Sequence, residues 1–258
     1  MRLKKGIYSR MIVSFGLLAV ALLPFSQAAH GETPVQKLAI VIDDFGNNMD
    51  GTKEMLDLPI PLTVAVMPFM PSTKQDAELA HTKHHEVFVH LPMEPVKGKR
   101  SWLGPGAITT DLSDAEIRKR VQAAIDDVPH AIGINNHMGS KATADERVMR
   151  IVLTVCKERG LMFLDSRTTH KSVIPALAKE MGVPYMMNRL FFDDVYTYNH
   201  ISKQMDLLCK YLNSNDENYI AIGHVGPPGK KTADVLRKSI PRLKQSAELV
   251  FASRLSMK

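Results

Sequence analysis

Short apolar segments alternate with longer amphipathic segments from residue 37 onward, and this alternation constrains the fold more than any other feature. The apolar segments lie at residues 37–42, 62–67, 86–90, 131–134, 161–165, 184–187 and 219–223, with a last candidate at 247–252. Most are apolar at consecutive positions, which is typical of strands covered on both faces. Seven to eight mostly parallel strands that alternate with helices therefore predict an α/β domain.

Capping signals predict where two of the intervening helices begin. Ser113 and Glu116 have capping-box spacing, and Thr143 and Glu146 repeat it. Gly160 lies where the second of these helices needs a left-handed cap. Further helices are predicted near residues 50–57, 73–83, 172–181, 200–213 and 232–244.

Strand–helix repeats of this kind form either a closed (β/α) barrel or an open doubly wound sheet. No GxGxxG fingerprint follows the first strand, which disfavours a dinucleotide-binding sheet. We therefore expect an irregular (β/α) barrel. No repeat or linker divides residues 37–258, so we expect them to form one domain.

The N-terminal residues 1–28 have the pattern of a signal peptide. A basic start is followed by the uncharged apolar run 11–25 and by Ser26-Gln27-Ala28, with small residues at the cleavage positions. The alternative is an uncleaved anchor, which would be the chain's one contact with a membrane. Both interpretations predict an exported, periplasmic or extracytoplasmic protein, in which residues 29–36 form a short segment before the domain.

Charge and cysteine content exclude two classes of protein. The export segment holds four of the 33 Lys and Arg residues, which leaves 29 against 27 Asp and Glu. A domain so close to neutral gives no reason to expect a nucleic-acid partner. Two cysteines are too few for a disulfide scaffold. Because Cys156 and Cys209 lie in amphipathic segments, we expect both to be buried and unpaired.

Acidic and histidine side chains recur where the predicted strands end. They are Asp43-Asp44, His90, His137, Asp165, Asp193-Asp194 and His224. In barrels and in open parallel sheets the active site lies at the carboxyl ends of the strands. Asp and His together suit a divalent metal of the hard or borderline kind.

These residues divide into ligands and proton-transfer groups. Asp44, His90 and His137 make the three-ligand set of a catalytic metal site with one open position. Asp43 then faces the substrate, where it can accept a proton, and His224 is a candidate general acid. A simple turn at 43–48 and a structural role for His224 are the alternatives.

Other polar residues near the strand ends are candidates for substrate binding or for support of the site. Arg167 could orient Asp165, and Arg189 could orient Asp193, as bidentate partners. The remaining candidates are Glu94, four residues past His90, Asn136 beside His137, and Trp102, the only Trp, which could stack on a sugar ring or pack against the domain.

Several motifs together resemble the polysaccharide (NodB-type) deacetylases, and in particular their divergent, YibQ-like branch. They are Ile40-Val41-Ile42-Asp43-Asp44-Phe45-Gly46, Val64-Ala65-Val66-Met67-Pro68, Val89-His90-Leu91-Pro92-Met93-Glu94, Gly133 to Ser140, Phe163-Leu164-Asp165-Ser166-Arg167 and Ile222-Gly223-His224. The resemblance spans residues 37–255. It implies a distorted barrel that binds a zinc-like ion, with Asp43 as base, Asp44 as ligand and His224 as acid.

The sequence departs from the family pattern at one metal ligand. In the typical enzymes two metal histidines share a His-x-x-x-His loop, whereas here Glu94 stands four residues after His90. We expect His137, on the next strand, to replace the missing ligand.

Two functions follow from this pattern. The first is a metal-dependent hydrolase, with zinc the expected ion, that removes N- or O-acetyl groups from an extracytoplasmic polysaccharide or peptidoglycan. The second is a non-catalytic protein of the cell envelope that keeps the deacetylase fold and binds a metal or a glycan.

Overall fold

The computed structural model describes residues 36–214 and 217–257, which contain a nine-stranded sheet. The strands are β1 (Lys37–Phe45), β2 (Thr63–Val66), β3 (Glu86–Met93), β4 (Ala131–Met138), β5 (Met162–Asp165), β6 (Tyr185–Met187), β7 (Leu190–Phe191), β8 (Tyr219–His224) and β9 (Glu248–Val250). The predicted export segment, residues 1–28, lies outside the described residues.

Seven helices connect these strands in the described part of the chain. They are α1 (Thr52–Leu56), α2 (Thr73–Thr82), α3 (Asp114–Asp127), α4 (Glu146–Glu158), α5 (Ile174–Met181), α6 (Tyr198–Ser214) and α7 (Gly229–Ser246). Within residues 36–214 and 217–257, none of these helices combines the length and the apolar character that crossing a bilayer requires.

The two capping predictions had different outcomes. The Ser113 hydroxyl accepts a hydrogen bond from the Glu116 N–H at the start of α3, as expected. The cap of α4 is Asp145, whose carboxylate accepts from the Val148 N–H at 3.0 Å. Thr143 was the wrong choice because its hydroxyl donates instead to the Gly139 carbonyl, in a short 3₁₀ turn that precedes α4.

Eight parallel strands follow one another around an irregular barrel, which confirms the predicted fold. Their order is β6-β5-β4-β3-β2-β1-β8-β7, so the barrel is open between β6 and β7. The connection between these two strands crosses the opening. Its Asn188 N–H donates to the Asp165 carbonyl on β5, and its Arg189 N–H donates to the Ile220 carbonyl on β8.

Three strands run three or more residues past their predicted ends, and one strand was missed. β1 continues to Phe45, through Asp43 and Asp44. β7 was missed because it is two residues long, too short for an apolar pattern to reveal. β3 and β4 continue to Met93 and Met138, through the polar residues at which we expected them to end. His90 and His137 therefore lie within strands, and their backbones are fixed by the sheet.

The two faces of the sheet bury separate apolar clusters. The inner cluster consists of Ala39, Val41, Ala65, Phe88, Leu164, Met186, Ile220, Ile222 and Ala252. The larger outer cluster packs the opposite face against the helices. Successive side chains of a strand point to opposite faces, so residues two positions further along an inner row also face the barrel interior. This alternation decides which polar residues can share a site.

Both cysteines are buried and free, as expected. Cys156 lies in α4 and Cys209 in α6, and each belongs to the outer apolar cluster. Burial raises the pKa of the Cys156 thiol to about 12. A thiol of this kind is an inert packing group.

Gly229 at the start of α7 supplies a stability test. A methyl group there would overlap the backbone of Asp50, whose carbonyl is held by the Gly226 N–H at 2.7 Å. Because two backbone segments must separate, we expect Gly229→Ala to lower the free energy of unfolding by about 3 kcal/mol.

The matched control is Gly160→Ala. Gly160 has a positive φ of 67° but no neighbour within 4 Å, so only the cost of a left-handed alanine, about 1 kcal/mol, applies. Urea denaturation of both variants measures the difference. Equal losses in the two variants would contradict the close backbone packing between residue 50 and α7.

Candidate active site

Parallel register brings polar side chains together at the carboxyl end of the barrel interior. Asp43 of β1 pairs with His224 of β8, and each extends an inner row of apolar residues on its strand. His90 of β3 pairs with Asn135 of β4, while Pro92 pairs with His137. The alternation of side chains therefore aims Asp43, His90, Asn135, His137 and His224 at one space.

Asp44 joins this group because its backbone breaks the alternation. Two successive residues of a regular strand point to opposite faces. Asp44 has a left-handed φ of 71°, and the pairing of β1 with β2 is irregular between Ile42 and Phe45. Aspartate adopts this conformation more readily than most residues. Both carboxylates of the Asp43-Asp44 pair consequently reach the same site.

Asp44, His90 and His137 place three potential ligand atoms at the corners of a small triangle. Asp44 Oδ1 lies 3.2 Å from His90 Nε2 and 3.1 Å from His137 Nδ1. The two ring nitrogens are 3.2 Å apart. Ligand atoms around a tetrahedral zinc ion are about 3.3 Å apart, given bonds of about 2.0 Å. The spacing thus fits one divalent ion.

Asn135 fixes the protonation of the His90 ring. Its amide nitrogen donates to Asp43 Oδ1 at 2.8 Å, because a carboxylate can only accept. Its amide oxygen therefore faces His90 Nδ1, at 2.7 Å, and accepts a hydrogen bond from it. With the proton on Nδ1, the lone pair of His90 Nε2 points at the site.

The His137 ring is oriented by a backbone carbonyl. His137 Nε2 lies 3.3 Å from the Trp102 carbonyl oxygen, which can only accept, so Nε2 carries the proton. Its Nδ1 then presents a lone pair beside those of His90 Nε2 and Asp44 Oδ1. Asp44 Oδ1 is buried and has no hydrogen-bond donor. Three converging acceptors repel one another unless a cation lies between them, so these residues fit a metal ion.

Asp43 lies beside this triangle without being part of it. Its carboxylate is 1% exposed, and Asp43 Oδ2 is 3.7 Å from His90 Nε2. Burial raises the pKa of Asp43, although the hydrogen bond from Asn135 and the nearby histidines oppose this effect. The arrangement holds a carboxylate of increased basicity next to the metal position.

His224 lies across the site and is held by a buried carboxylate. Asp193 Oδ1 is 2.7 Å from His224 Nδ1, and Asp193 Oδ2 accepts hydrogen bonds from the His224 backbone N–H and the Thr232 hydroxyl. Burial alone would lower the pKa of His224. The hydrogen bond to Asp193 and the charges of Asp44, Asp193 and Asp43 instead raise it to about 9. His224 can therefore carry a proton at neutral pH.

A cavity of about 310 Å³ opens over these groups. Its lining includes Asp43, Asp44, His90, His137, Asp193 and His224, so the metal ligands and both proton-transfer candidates border one space. Asn136 also lines it, and its amide oxygen accepts from the Ser166 N–H at 3.0 Å, which ties β4 to the loop after β5.

Trp102 contacts the candidate metal site through its backbone carbonyl. Its carbonyl orients His137, while the residue as a whole is 56% exposed. The Lys99 ammonium lies 5.8 Å from the ring centre. The exposed ring leaves the predicted role in sugar stacking open to test.

Five predicted site residues do not line the cavity: Glu94, Trp102, Asp165, Arg167 and Arg189. Glu94 accepts from the Thr110 backbone and hydroxyl and pairs with Lys141, so it anchors the loop after β3. Asp165 follows Leu164 of the inner cluster and therefore faces outward.

The predicted arginine–aspartate pairs were wrong. Arg167 contacts Asp165 through its backbone N–H, at 2.8 Å, and no ion pair joins its guanidinium to Asp165 in the described part of the chain. Arg189 pairs with Glu217, not with Asp193, whose carboxylate is already occupied by His224 and Thr232.

Sequence reasoning missed Asn135 and Thr232. Asn135 lies two residues before His137 on one strand, so strand alternation alone places the two on one face. Thr232 had no local signal, because its contact with Asp193 joins segments 39 residues apart.

Comparison with known proteins decides the family. The model of the divergent polysaccharide deacetylases matches residues 40–256, nearly the whole described chain. The chain belongs to this family. Curated relatives agree: a protein of Haemophilus influenzae Rd is 35% identical over 219 residues, which are 85% of this chain and 76% of that protein. YibQ of Escherichia coli K12 is 36% identical over 219 residues, covering 85% and 67% of the two chains.

Solved structures share the deacetylase-like fold. The protein ATU2773 of Agrobacterium tumefaciens C58 superposes with a TM-score of 0.79 at 20% identity, over 87% of this chain and 90% of that one. The Bc1960 peptidoglycan N-acetylglucosamine deacetylase superposes with a TM-score of 0.54 at 12% identity, over 84% and 86%. At these identities the likeness concerns the fold alone.

Removing one ligand tests the metal site. We expect the wild-type protein to bind one zinc ion and His137→Ala to lose it, because two remaining ligands hold zinc weakly. The matched control is His81→Ala, since His81 stacks on His130 away from the triangle. Native mass spectrometry gives the stoichiometry. Full occupancy in His137→Ala would show that this residue is not a ligand.

Two substitutions at Asn135 separate its two hydrogen bonds. Asn135→Leu removes both, so we expect zinc affinity to fall about 10- to 100-fold, as when a hydrogen-bond partner of a metal ligand is lost. Asn135→Asp keeps an acceptor for His90 Nδ1, so its affinity should stay close to wild type. Competition with a chromogenic chelator measures both. A leucine variant that binds zinc normally would contradict the role of Asn135.

The pKa of His224 is measurable by NMR in chelator-treated protein. We expect a value of about 9, and a clear decrease in Asp193→Asn, which removes the charge that holds the imidazolium. Because the folded pKa exceeds the unfolded value of about 6.5, this contribution to stability is complete below that pH and is lost as the pH rises toward 9. A His224 pKa that does not respond to Asp193→Asn would refute the pairing.

Proposed function

We propose that this protein is a metal-dependent deacetylase that hydrolyses N- or O-acetyl groups on an extracytoplasmic polysaccharide or peptidoglycan. The observation that carries the proposal is the convergence of three potential ligand atoms, from Asp44, His90 and His137, beside the buried Asp43 carboxylate and a histidine whose pKa is raised to about 9. The expected ion is zinc, which suits one carboxylate and two imidazoles. The extracytoplasmic location rests on the sequence of residues 1–28.

The residues around the metal position can supply both proton transfers that hydrolysis requires. A bound divalent ion would polarise the acyl carbonyl and lower the pKa of the attacking water. Asp43 accepts a proton from that water, because its carboxylate is buried beside the metal position and already oriented by Asn135, and burial raises its pKa. His224 donates a proton to the leaving nitrogen or oxygen, and Asp193 holds the imidazolium that supplies it.

The main reason to favour a non-catalytic relative was the absent second histidine of the usual loop. His137 from β4 occupies the third corner of the triangle, while Glu94 is engaged with Thr110 and Lys141. A complete ligand set with an acid and a base beside it supports catalysis. The exposed Trp102 ring, on the residue whose carbonyl orients His137, is a suitable platform for a sugar ring.

Acetate release tests the function. With zinc, cobalt or manganese added, we expect the protein to release acetate from an N-acetylglucosamine tetramer or from peptidoglycan fragments. Asp43→Asn and His224→Gln should each lower the rate by about 100-fold or more while zinc stays bound, since each removes one proton transfer. His81→Gln is the matched control and should keep full activity.

The alternative predicts a different result. If zinc binds stoichiometrically but no metal and no substrate gives acetate, and the glycans still bind, the protein is a non-catalytic glycan-binding member of the family.

A further inference from the structure

A second cleft of about 440 Å³ adjoins the active-site cavity, at the opening between β6 and β7. We name it the seam cleft and define it by Arg167, His170 and Arg189, which line it. Phe191 and Asp194 border both the seam cleft and the active-site cavity. The two spaces are therefore neighbours, and an oligomeric ligand bound in the active site is long enough to reach the seam cleft.

Arg167 lies at the boundary between the two spaces. Its neighbours Ser166 and Thr168 line the active-site cavity, while Arg167 itself lines the seam cleft. Consecutive residues of this one loop therefore border the two spaces. The left-handed φ of Arg167, 59°, is stabilised by the hydrogen bond from its N–H to the buried Asp165 carboxylate. The buried Asp165 thus holds the backbone of the exposed Arg167 in position.

The seam cleft is lined by two arginines, Arg167 and Arg189, and by the carboxylate of Asp194. In residues 36–214 and 217–257, no carboxylate lies within ion-pair distance of the Arg167 guanidinium, which donates to Met187 Sδ at 3.5 Å and interacts with the buried Asp165 only through its charge. Asp194 is paired with His200 at 2.6 Å. Arg189 meets Glu217 at 3.3 Å, but both side chains are about half exposed, and such pairs contribute little.

We propose that the seam cleft binds a carboxylate or phosphate group of the glycan, so that the substrate is an acidic acetylated glycan rather than a neutral one. This inference rests on the proposed function and specifies its substrate class. A planar guanidinium donates two parallel hydrogen bonds to an oxyanion, which gives both affinity and orientation. Arg167 makes this contact, and Arg189 reinforces it by exchanging its weak pair with Glu217.

Equilibrium binding to the zinc-loaded Asp43→Asn protein tests the proposal without turnover. The probes are an N-acetylglucosamine tetramer, a tetramer that alternates N-acetylglucosamine with glucuronic acid, and an N-acetylglucosamine tetramer that carries one 6-phosphate. By calorimetry at low salt we expect at least one acidic probe to bind about tenfold more tightly than the neutral one, as for hydrogen bonds to a charged group. The tighter acidic probe identifies the anion as carboxylate or phosphate.

Arg167→Gln in the same background should abolish this preference and leave binding of the neutral tetramer within about twofold, because only the charged contact is removed. Arg118→Gln is the matched control, since Arg118 pairs with Glu158 on the helical surface. About 0.5 M salt should also reduce the preference. Equal binding of all three probes, or an equal loss for acidic and neutral probes in Arg167→Gln, would overturn the proposal.

Acetate release by the protein with its native Asp43 separates this inference from the proposed function. If no probe releases acetate while the preference for an acidic probe depends on Arg167, the seam cleft is an anion site and the hydrolase proposal fails. If acidic and neutral probes release acetate at equal rates and bind equally, the hydrolase proposal stands and the seam-cleft inference fails.

Discussion

The pairing register of the parallel strands is the constraint on which the site depends. Asp43 lies opposite His224, and His90 lies opposite Asn135, so residues far apart in the chain share one end of the barrel. A shift of any pair by one residue would turn the functional side chains toward the outer helices. The apolar interior below them, in which Phe88 packs against Gly133, stabilises the fold. By holding the strands in register, it also fixes the positions of the functional side chains.

The strand framework also determines which ring nitrogen of each histidine carries the proton, because it places each ring beside a group that can only accept a hydrogen bond. The Asp43 carboxylate orients the Asn135 amide, and the amide in turn fixes the tautomer of His90. The Trp102 carbonyl does the same for His137. The site therefore presents lone pairs before any ion arrives, which lowers the reorganisation that metal binding requires. Asn135 links the metal position directly to the proposed base, because it bonds both His90 and Asp43. A change in the orientation of either side chain therefore affects the other.

The sequence was sufficient for the fold because buried parallel strands leave a strong local signal, as at residues 37–42 and 219–223. It was also sufficient to name Asp44, His90 and His137 as residues that converge. It was insufficient where side-chain direction decides the outcome: Asp165 faces outward because Leu164 faces inward. Partners that are distant in the chain, such as Thr232 for Asp193, leave no local pattern at all.

The departure of this chain from the deacetylase pattern at one proposed metal ligand has a structural explanation. Glu94 stands where the deacetylases that the chain resembles have a second loop histidine, and it anchors the loop after β3, while His137 of β4 supplies the third potential ligand atom. Anomalous diffraction from crystals grown with zinc tests this account most directly. It predicts one zinc peak about 2.1 Å from Asp44 Oδ1, His90 Nε2 and His137 Nδ1. A zinc ion bound through Glu94, or one that lacks any of the three atoms, would contradict it.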